Sequence, residues 1–272
     1  MTETHSPAPA VAGLRVISPE QWGPDLGLVR GGTFREMVGP ASGAQRRSMH
    51  HVRIDPTGTT VPLRHDGEAV YYVVEGTPVV TELLRHRRDS HRLGPGSMIH
   101  LHAGATYTIE ADQGAVLIGG PCPVDPALGA AAAPYLEESG LSLYHRDRPG
   151  LMVPFISRDA RLVVWLGAGA VDANMNYVVL EPGERNKEHV HAESEDTIHI
   201  LEGRGTAENV STGERFPIGP GDTVHIEIGT WHAVAADRGE RVVSVGGPCP
   251  ADTDMLRAAG VDVADIMEKI GR

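Results

Sequence analysis

Aromatic side chains are scarce in this sequence: 3 Phe, 3 Trp and 6 Tyr make up 4% of 272 residues. Aliphatic residues must therefore fill most of any core. Cysteine is rarer still, with Cys122 and Cys249 the only two, too few for a disulfide framework. Basic residues number 24 against 36 acidic ones, giving a formal net charge of −12. Such a surface repels a phosphate backbone, which argues against nucleic acid as a partner. Long apolar runs are missing too, and none reaches the roughly 20 residues that span a bilayer. The opening residues lack the charged start and apolar centre of a signal peptide, and 1–12 read as a short disordered tail. Together these absences predict a soluble cytoplasmic protein with no membrane role.

What is abundant is chain punctuation. The 33 glycines and 20 prolines recur at short intervals between brief runs of Val, Ile and Leu. That pattern of many short strands predicts an all-β sandwich or barrel. The length allows one large β domain or two of about 130 residues.

Self-similarity decides between them. Gly119-Gly120-Pro121-Cys122-Pro123 recurs as Gly246-Gly247-Pro248-Cys249-Pro250. Upstream, Asp55-Pro56 matches Glu181-Pro182, Glu75-Gly76 matches Glu202-Gly203, Gly94-Pro95-Gly96 matches Gly219-Pro220-Gly221, and Gly104 matches Gly229. The offset stays between 125 and 127 residues, so the chain is a tandem duplication. Each half predicts the same strands: Met49–Ile54 and Tyr177–Leu180, Val70–Val74 and Thr197–Leu201, Met98–Leu101 and Thr223–Ile228, Val116–Ile118 and Val242–Val245. Short helices are expected after each barrel, at Asp125–Ala133, Asp252–Ala259 and Val263–Ile270. The expected domains are 13–123 and 151–272, with 124–150 as linker and crossover.

One cluster of residues carries chemistry. His189 and His191 are two apart, and Asp196, Gly203 and later His232 follow. Alternation along a strand points both histidines to one face. A turn would return Asp196 on the next strand, and His232 would arrive from a third. Three imidazoles and a carboxylate inside a barrel suit a first-row divalent ion with positions left for water, oxygen or substrate.

This arrangement resembles the cupin superfamily, whose motifs read G-x5-H-x-H-x3/4-E-x6-G and G-x5-P-x-G-x2-H-x3-N. The resemblance spans nearly the whole chain and implies two tandem jelly-roll β-barrels. It implies His189, His191, Asp196 and His232 as metal ligands. The sequence departs from the motifs in having Asp196 at the carboxylate position, Glu227 in place of the proline, and no terminal asparagine. Glu195, beside Asp196, is the alternative ligand or a general base. Lys187, Glu188 and Asn176 are candidates for the substrate pocket. In the first half Leu63 aligns with His189, His65 with His191, Ala69 with Asp196 and Tyr107 with His232. His65, Glu68 and Tyr107 are therefore what remains of a degenerate site, and a structural role is expected for that barrel. Cys122, Cys249, His100 and His225, matched across the repeat, are also expected to be structural.

The resemblance implies one divalent metal ion per chain, Fe(II) first, with Mn(II), Zn(II) or Ni(II) as alternatives. It also implies a small-molecule substrate. A dioxygenase leads. Bicupins resembling oxalate decarboxylase usually keep metal motifs in both halves, which this chain does not. The alternatives are a non-redox hydrolase, isomerase, decarboxylase or lyase, and a metabolite-binding protein without catalysis. A homodimer is the expectation from exposed sheet edges.

Overall fold

The computed structural model describes residues 13–125, 127–129 and 135–271. The tail expected over 1–12 and most of the helix expected over Asp125–Ala133 lie outside them, and 127–129 form a turn. The first half builds a 10-stranded sheet, and the second a 7-stranded and a 3-stranded sheet, curled into two jelly-roll barrels. Strand Met175–Leu180 shows how the sequence divides its faces. Met175, Tyr177 and Val179 enter the apolar layer between the barrels, whereas Asn176, Val178 and Leu180 face the interior of the second. That is the period of two of a strand buried on both sides.

The barrels exchange their outer strands. Leu14–Ile17 pairs antiparallel with Thr223–Ile226 of the second half, and Leu141–His145 pairs with Ser97–Leu101 of the first. Residues 14–17, assigned to the first domain by the repeat, thus extend the second sheet. Residues 141–145, assigned to the linker, extend the first. Each exchanged strand covers an edge that would otherwise present unpaired backbone groups.

The repeated glycines have a steric cause. Gly119 (φ 150°) and Gly246 (φ 151°) lie so close to the neighbouring strand that a Cβ would overlap the carbonyl oxygens of Val70 and Thr197. Only glycine permits both the approach and the dihedral. Cys122 and Cys249, just beyond, are buried between the barrels. Burial, and then the Cys122 thiol, pushes the Cys249 thiol well above its usual range, so it is inert as a nucleophile.

Polar contacts lock the halves together reciprocally. The Glu68 carboxylate accepts the backbone N–H groups of Val171, Asp172 and Ala173 at 3.0, 2.8 and 3.0 Å. His100 Nε2 stands 3.6 Å from the same carboxylate. The equivalent Glu195 accepts the amides of Gln45 and Arg46 at 2.7 and 2.8 Å. His225, the counterpart of His100, is fully buried within the electrostatic reach of Glu195. Arg47, also fully buried, donates through Nη1 to the carbonyls of Asn174 and Gly247 at 2.9 and 3.0 Å. Each half therefore holds the loop that leads into the other.

Two short helices close the chain: α1, Thr253–Ala258, and α2, Val263–Lys269, capped by the side chains of Asp252 and Asp262. Leu256 and Val263 seat them on Val153, Ala160 and Leu162 at one end of the second barrel. Among the described residues no helix is long and apolar enough to cross a membrane.

Glu68→Gln and Glu195→Gln each remove a charged acceptor from buried amides. Each is expected to cost about 1.5–3 kcal/mol, read from denaturant unfolding at pH 7. Burial would raise the Glu68 carboxyl, but His100 and the amides outweigh it and hold it at about 2, below its usual 4.5. A depressed carboxyl stabilises the fold above its unfolded value and loses that contribution on protonation. The difference between parent and Glu68→Gln should therefore shrink as pH falls from 4.5 towards 2. A constant difference across that range would contradict the assignment.

Candidate metal centre

Three segments of the second barrel converge. His189 and His232 form an antiparallel bridge, with His189 N–H to His232 O at 3.2 Å and the reverse at 3.0 Å. His191 follows two residues later on the same side. Asp196 is the second residue of strand Glu195–Glu202, and His232 opens strand His232–Ala236. Their ligand atoms all lie within 4.8 Å of one another. His191, Asp196 and His232 are buried and His189 half-buried.

The outer nitrogens fix how the rings are used. His189 Nδ1 contacts the Lys187 carbonyl at 2.8 Å, and His232 Nδ1 the Thr230 carbonyl at 2.9 Å. His191 Nδ1 contacts Asp252 Oδ2 at 2.6 Å. A carbonyl or carboxylate only accepts, so each Nδ1 carries a proton and donates it. Each Nε2 therefore faces the centre and presents its lone pair there once it carries no proton. Among the described residues the Nε2 atoms of His191 and His232 and Oδ1 of Asp196 are buried without a hydrogen-bond partner. Buried polar atoms are rarely left so, and a divalent cation would satisfy all three. Three imidazoles and one carboxylate fit Fe(II), Mn(II), Zn(II) or Ni(II).

The electrostatics are those of a site awaiting positive charge. Burial and the neighbouring His232 and His191 push His189 down to about 4. Burial also opposes charge on His191, but the Asp196 and Asp252 carboxylates outweigh it and raise His191 to about 9. Burial would raise Asp196, yet His191 and His232 hold it well below the usual carboxylate range.

His189, His191 and Asp196 open onto a chamber of about 70 Å³ inside the barrel. Its walls are mostly aliphatic, with Asn176, Asn186 and Ser244 as the polar groups other than the ligands. Lys187 and Glu188 lie outside it, along an outer groove with Trp231. Ile156, His189 and Met255 border both spaces.

Residues 176–245 match the family described as Cupin domain. The chain also resembles solved structures along most of its length. One is a formate complex of oxalate decarboxylase from Lactobacillus farciminis, 14% identical, with TM-score 0.69 over 96% of this chain and 97% of that one. Another is Bacillus subtilis oxalate decarboxylase at pH 4.6, 16% identical, with TM-score 0.64 over 90% and 78%. A third is vicilin from Corylus avellana (hazelnut), 14% identical, with TM-score 0.64 over 87% and 85%. Residues 176–245 thus form a cupin domain in the second of two barrels. At these identities the structural likeness is one of fold. No curated protein sequence matches the chain.

Within the second barrel Glu195 is not positioned as a ligand or a base. Its carboxylate is turned to the first barrel, because neighbours on a strand face opposite ways and Asp196 faces the chamber. His199 also lies away from the centre, paired through Nδ1 with Thr223 Oγ1 at 2.9 Å. In the first barrel Glu68, bound to the amides of 171–173, is likewise turned away from His65 and Tyr107. The Tyr107 hydroxyl donates to Tyr71 at 3.0 Å and lies 3.4 Å from His65 Nε2. With Leu63 these side chains pack the place that the metal cluster holds in the second barrel. Asp252, Asn186, Ser244 and Met255 were not identified as site residues from the sequence. Asp252 carried one usable signal, its place at the start of a predicted helix, which marks a cap and says nothing of His191.

Asp252→Asn separates two roles, since Asn caps a helix as well as Asp does but is a weaker, neutral acceptor for His191. Zn(II) affinity, measured by competition with a chromophoric chelator, should fall roughly 10- to 100-fold while the helix content of the apo protein, read by circular dichroism, stays the same. Equal affinity would mean that Asp252 only caps α1. Because His191 holds a proton up to about 9 and metal binding must displace it, affinity should drop below that pH by about tenfold per unit. Calorimetry at pH 7.5 in buffers of different ionisation enthalpy should show about one proton released per metal; release of none would refute the charge assigned to His191.

Proposed function

We propose that this bicupin is a metal-dependent enzyme that holds Fe(II) in its second barrel and acts as a dioxygenase on a small molecule. The observation that carries the proposal is the poverty of the chamber in acids and bases. Beyond the ligands, its polar side chains among the described residues are two carboxamides and a hydroxyl. None of these gives or takes a proton near neutral pH. General acid–base chemistry needs a titratable group within about 3 Å of the reacting atom, and Glu195 is committed to the other barrel. Reactions with O2, a small apolar gas, need little from such walls beyond shape and the exclusion of water. The bound ion would supply redox and Lewis-acid chemistry at its open positions. The protein would supply the three pinned imidazoles, Asp196 and a dry, aliphatic enclosure.

A second reading, a non-redox decarboxylase using Mn(II), Zn(II) or Ni(II), is supported by the oxalate decarboxylases among the similar folds. The vicilin fold supports a third, a binding protein without catalysis. We place the protein in the cytoplasm, working as a monomer or homodimer on a small-molecule substrate without nucleic acid or membrane. Its −12 charge supports that setting.

Elemental analysis of untagged protein should find about one iron per chain, lost in His191→Ala. The anaerobically reconstituted Fe(II) form should consume O2 when mixed with pooled small oxygen chelators. Turnover of the same pool only with Mn(II) or Zn(II), and without O2 uptake, would favour the decarboxylase reading. A parent that takes up no metal would leave the binding-protein reading.

A further inference from the structure

We infer, on the basis of the metal reading above, that the exchanged strand Leu14–Ile17 belongs to the framework of the metal centre, with Glu227 as the positioning residue through which it orients His232.

The turn from Glu227 to Thr230 joins strand Thr223–Ile226 to His232. It closes with the Thr230 amide donating to the Glu227 carbonyl at 3.2 Å, and Gly229 takes the positive φ of 79° that it needs. The Thr230 carbonyl at its end accepts the His232 Nδ1 proton at 2.9 Å. The setting of this turn therefore sets the direction in which His232 Nε2 points. The Gly229 amide also donates to the His191 carbonyl at 2.9 Å, so a second candidate ligand is tied to the same turn.

Gly13, just ahead of the exchanged strand, holds that turn at both ends. Its carbonyl accepts the Glu227 amide at 2.9 Å and the Thr230 hydroxyl at 3.3 Å. Its amide donates to Glu227 Oε2 at 3.0 Å, and Arg15 Nη2 donates to Oε1 at 2.8 Å. The proline that the motif places at 227 would fix its own φ but would have no N–H to give to Gly13. Here the turn is held instead by hydrogen bonds from a residue 214 positions away.

The first barrel shows the same turn without the side-chain tethers. His102, Gly104 and Ala105 stand there in place of Glu227, Gly229 and Thr230. The backbone contacts recur: Ala105 N–H to His102 O at 3.1 Å, Gly104 N–H to His65 O at 2.9 Å, and His102 N–H to Gly140 O at 2.8 Å. Gly140 precedes the exchanged strand Leu141–His145 as Gly13 precedes Leu14–Ile17. Ala105, however, has no hydroxyl, and the Gly140 amide goes to Glu82 Oε1 at 2.8 Å. The carboxylate and hydroxyl tethers are thus added only in the barrel with the four candidate ligands. Arg15 and Glu227 pair at the surface, with side chains 52% and 32% exposed, where an ion pair contributes little stability. What the tethers add is the placement of the turn that carries His232.

The test uses the full-length protein. Zn(II) affinity is read by chelator competition, and the Co(II) form by its visible d–d bands, which report ligand geometry. Glu227→Ala/Thr230→Val should bind Zn(II) roughly three- to tenfold more weakly, a smaller loss than for a side chain that touches a ligand directly. Its Co(II) bands should shift. Thr230→Val alone should shift them in part, and Thr230→Ser, which keeps the hydroxyl, should not. His102→Ala, the matching change in the first barrel, should leave both readings as in the parent. Parental bands and affinity in a folded double variant overturn this inference and leave the metal reading standing, since a tether that only stabilised the barrel would move the unfolding midpoint alone. If the double variant does not fold, Thr230→Val set against Thr230→Ser decides, and equal bands in the two overturn the inference. A parent that takes up neither ion overturns the metal reading and this inference with it.

Discussion

The geometry of the candidate metal centre rests on a contact that is not part of it, the Glu195 carboxylate bound to the amides of Gln45 and Arg46. Adjacent residues on a strand face opposite sides, so anchoring Glu195 between the barrels turns Asp196 inward. The same segment of the first barrel supplies Arg47, whose bonds to Asn174 and Gly247 O brace the strand of Asn176 and the glycine beside it. A barrel without ligands of its own thus orients the carboxylate and part of the chamber wall of its neighbour. The reciprocal contact, Glu68 on the amides of 171–173, gives that glutamate a structural role in a barrel where Leu63 and Tyr107 stand at two of the three histidine positions.

The two interiors differ because a few positions differ in bulk. Tyr71 stands where the second half has Ile198, Tyr107 where it has His232, and Leu63 where it has His189. In a chain with only 6 tyrosines, two fill this spot and satisfy each other's hydroxyls at 3.0 Å. At this position the first interior is filled by Leu63, Tyr71 and Tyr107, and the second keeps a chamber bounded by His189, His191 and Asp196. Fold alone does not decide function here; side-chain volume and donor atoms at equivalent positions do.

Asp252 joins the last segment of the chain to the centre. Its two carboxylate oxygens serve different masters, one taking the Met255 amide and one the His191 ring. The orientation of His191 and the seating of α1 are therefore coupled, and Met255 on that helix borders both the chamber and the outer groove.

The sequence by itself determined the duplication, the β class and the cluster of His189, His191, Asp196 and His232. These are local matters: glycines forced by close strand approach, turns at fixed intervals, and two histidines held on one face by alternation. The loss of ligating groups at Leu63 and Ala69 was equally legible, since residue type alone settles it. Only the tertiary structure decided the rest. Which of Glu195 and Asp196 faces the centre depends on contacts with residues about 150 positions away. The exchange of Leu14–Ile17 and Leu141–His145 between barrels depends on pairing with strands 212 and 40 residues away, Leu14 with Ile226 and Leu141 with Leu101. The meeting of Asp252 with His191 spans 61 residues and depends on where α1 docks. Periodicity reports the face a side chain takes along its own strand; which partner covers that face is set by packing between segments far apart in the chain.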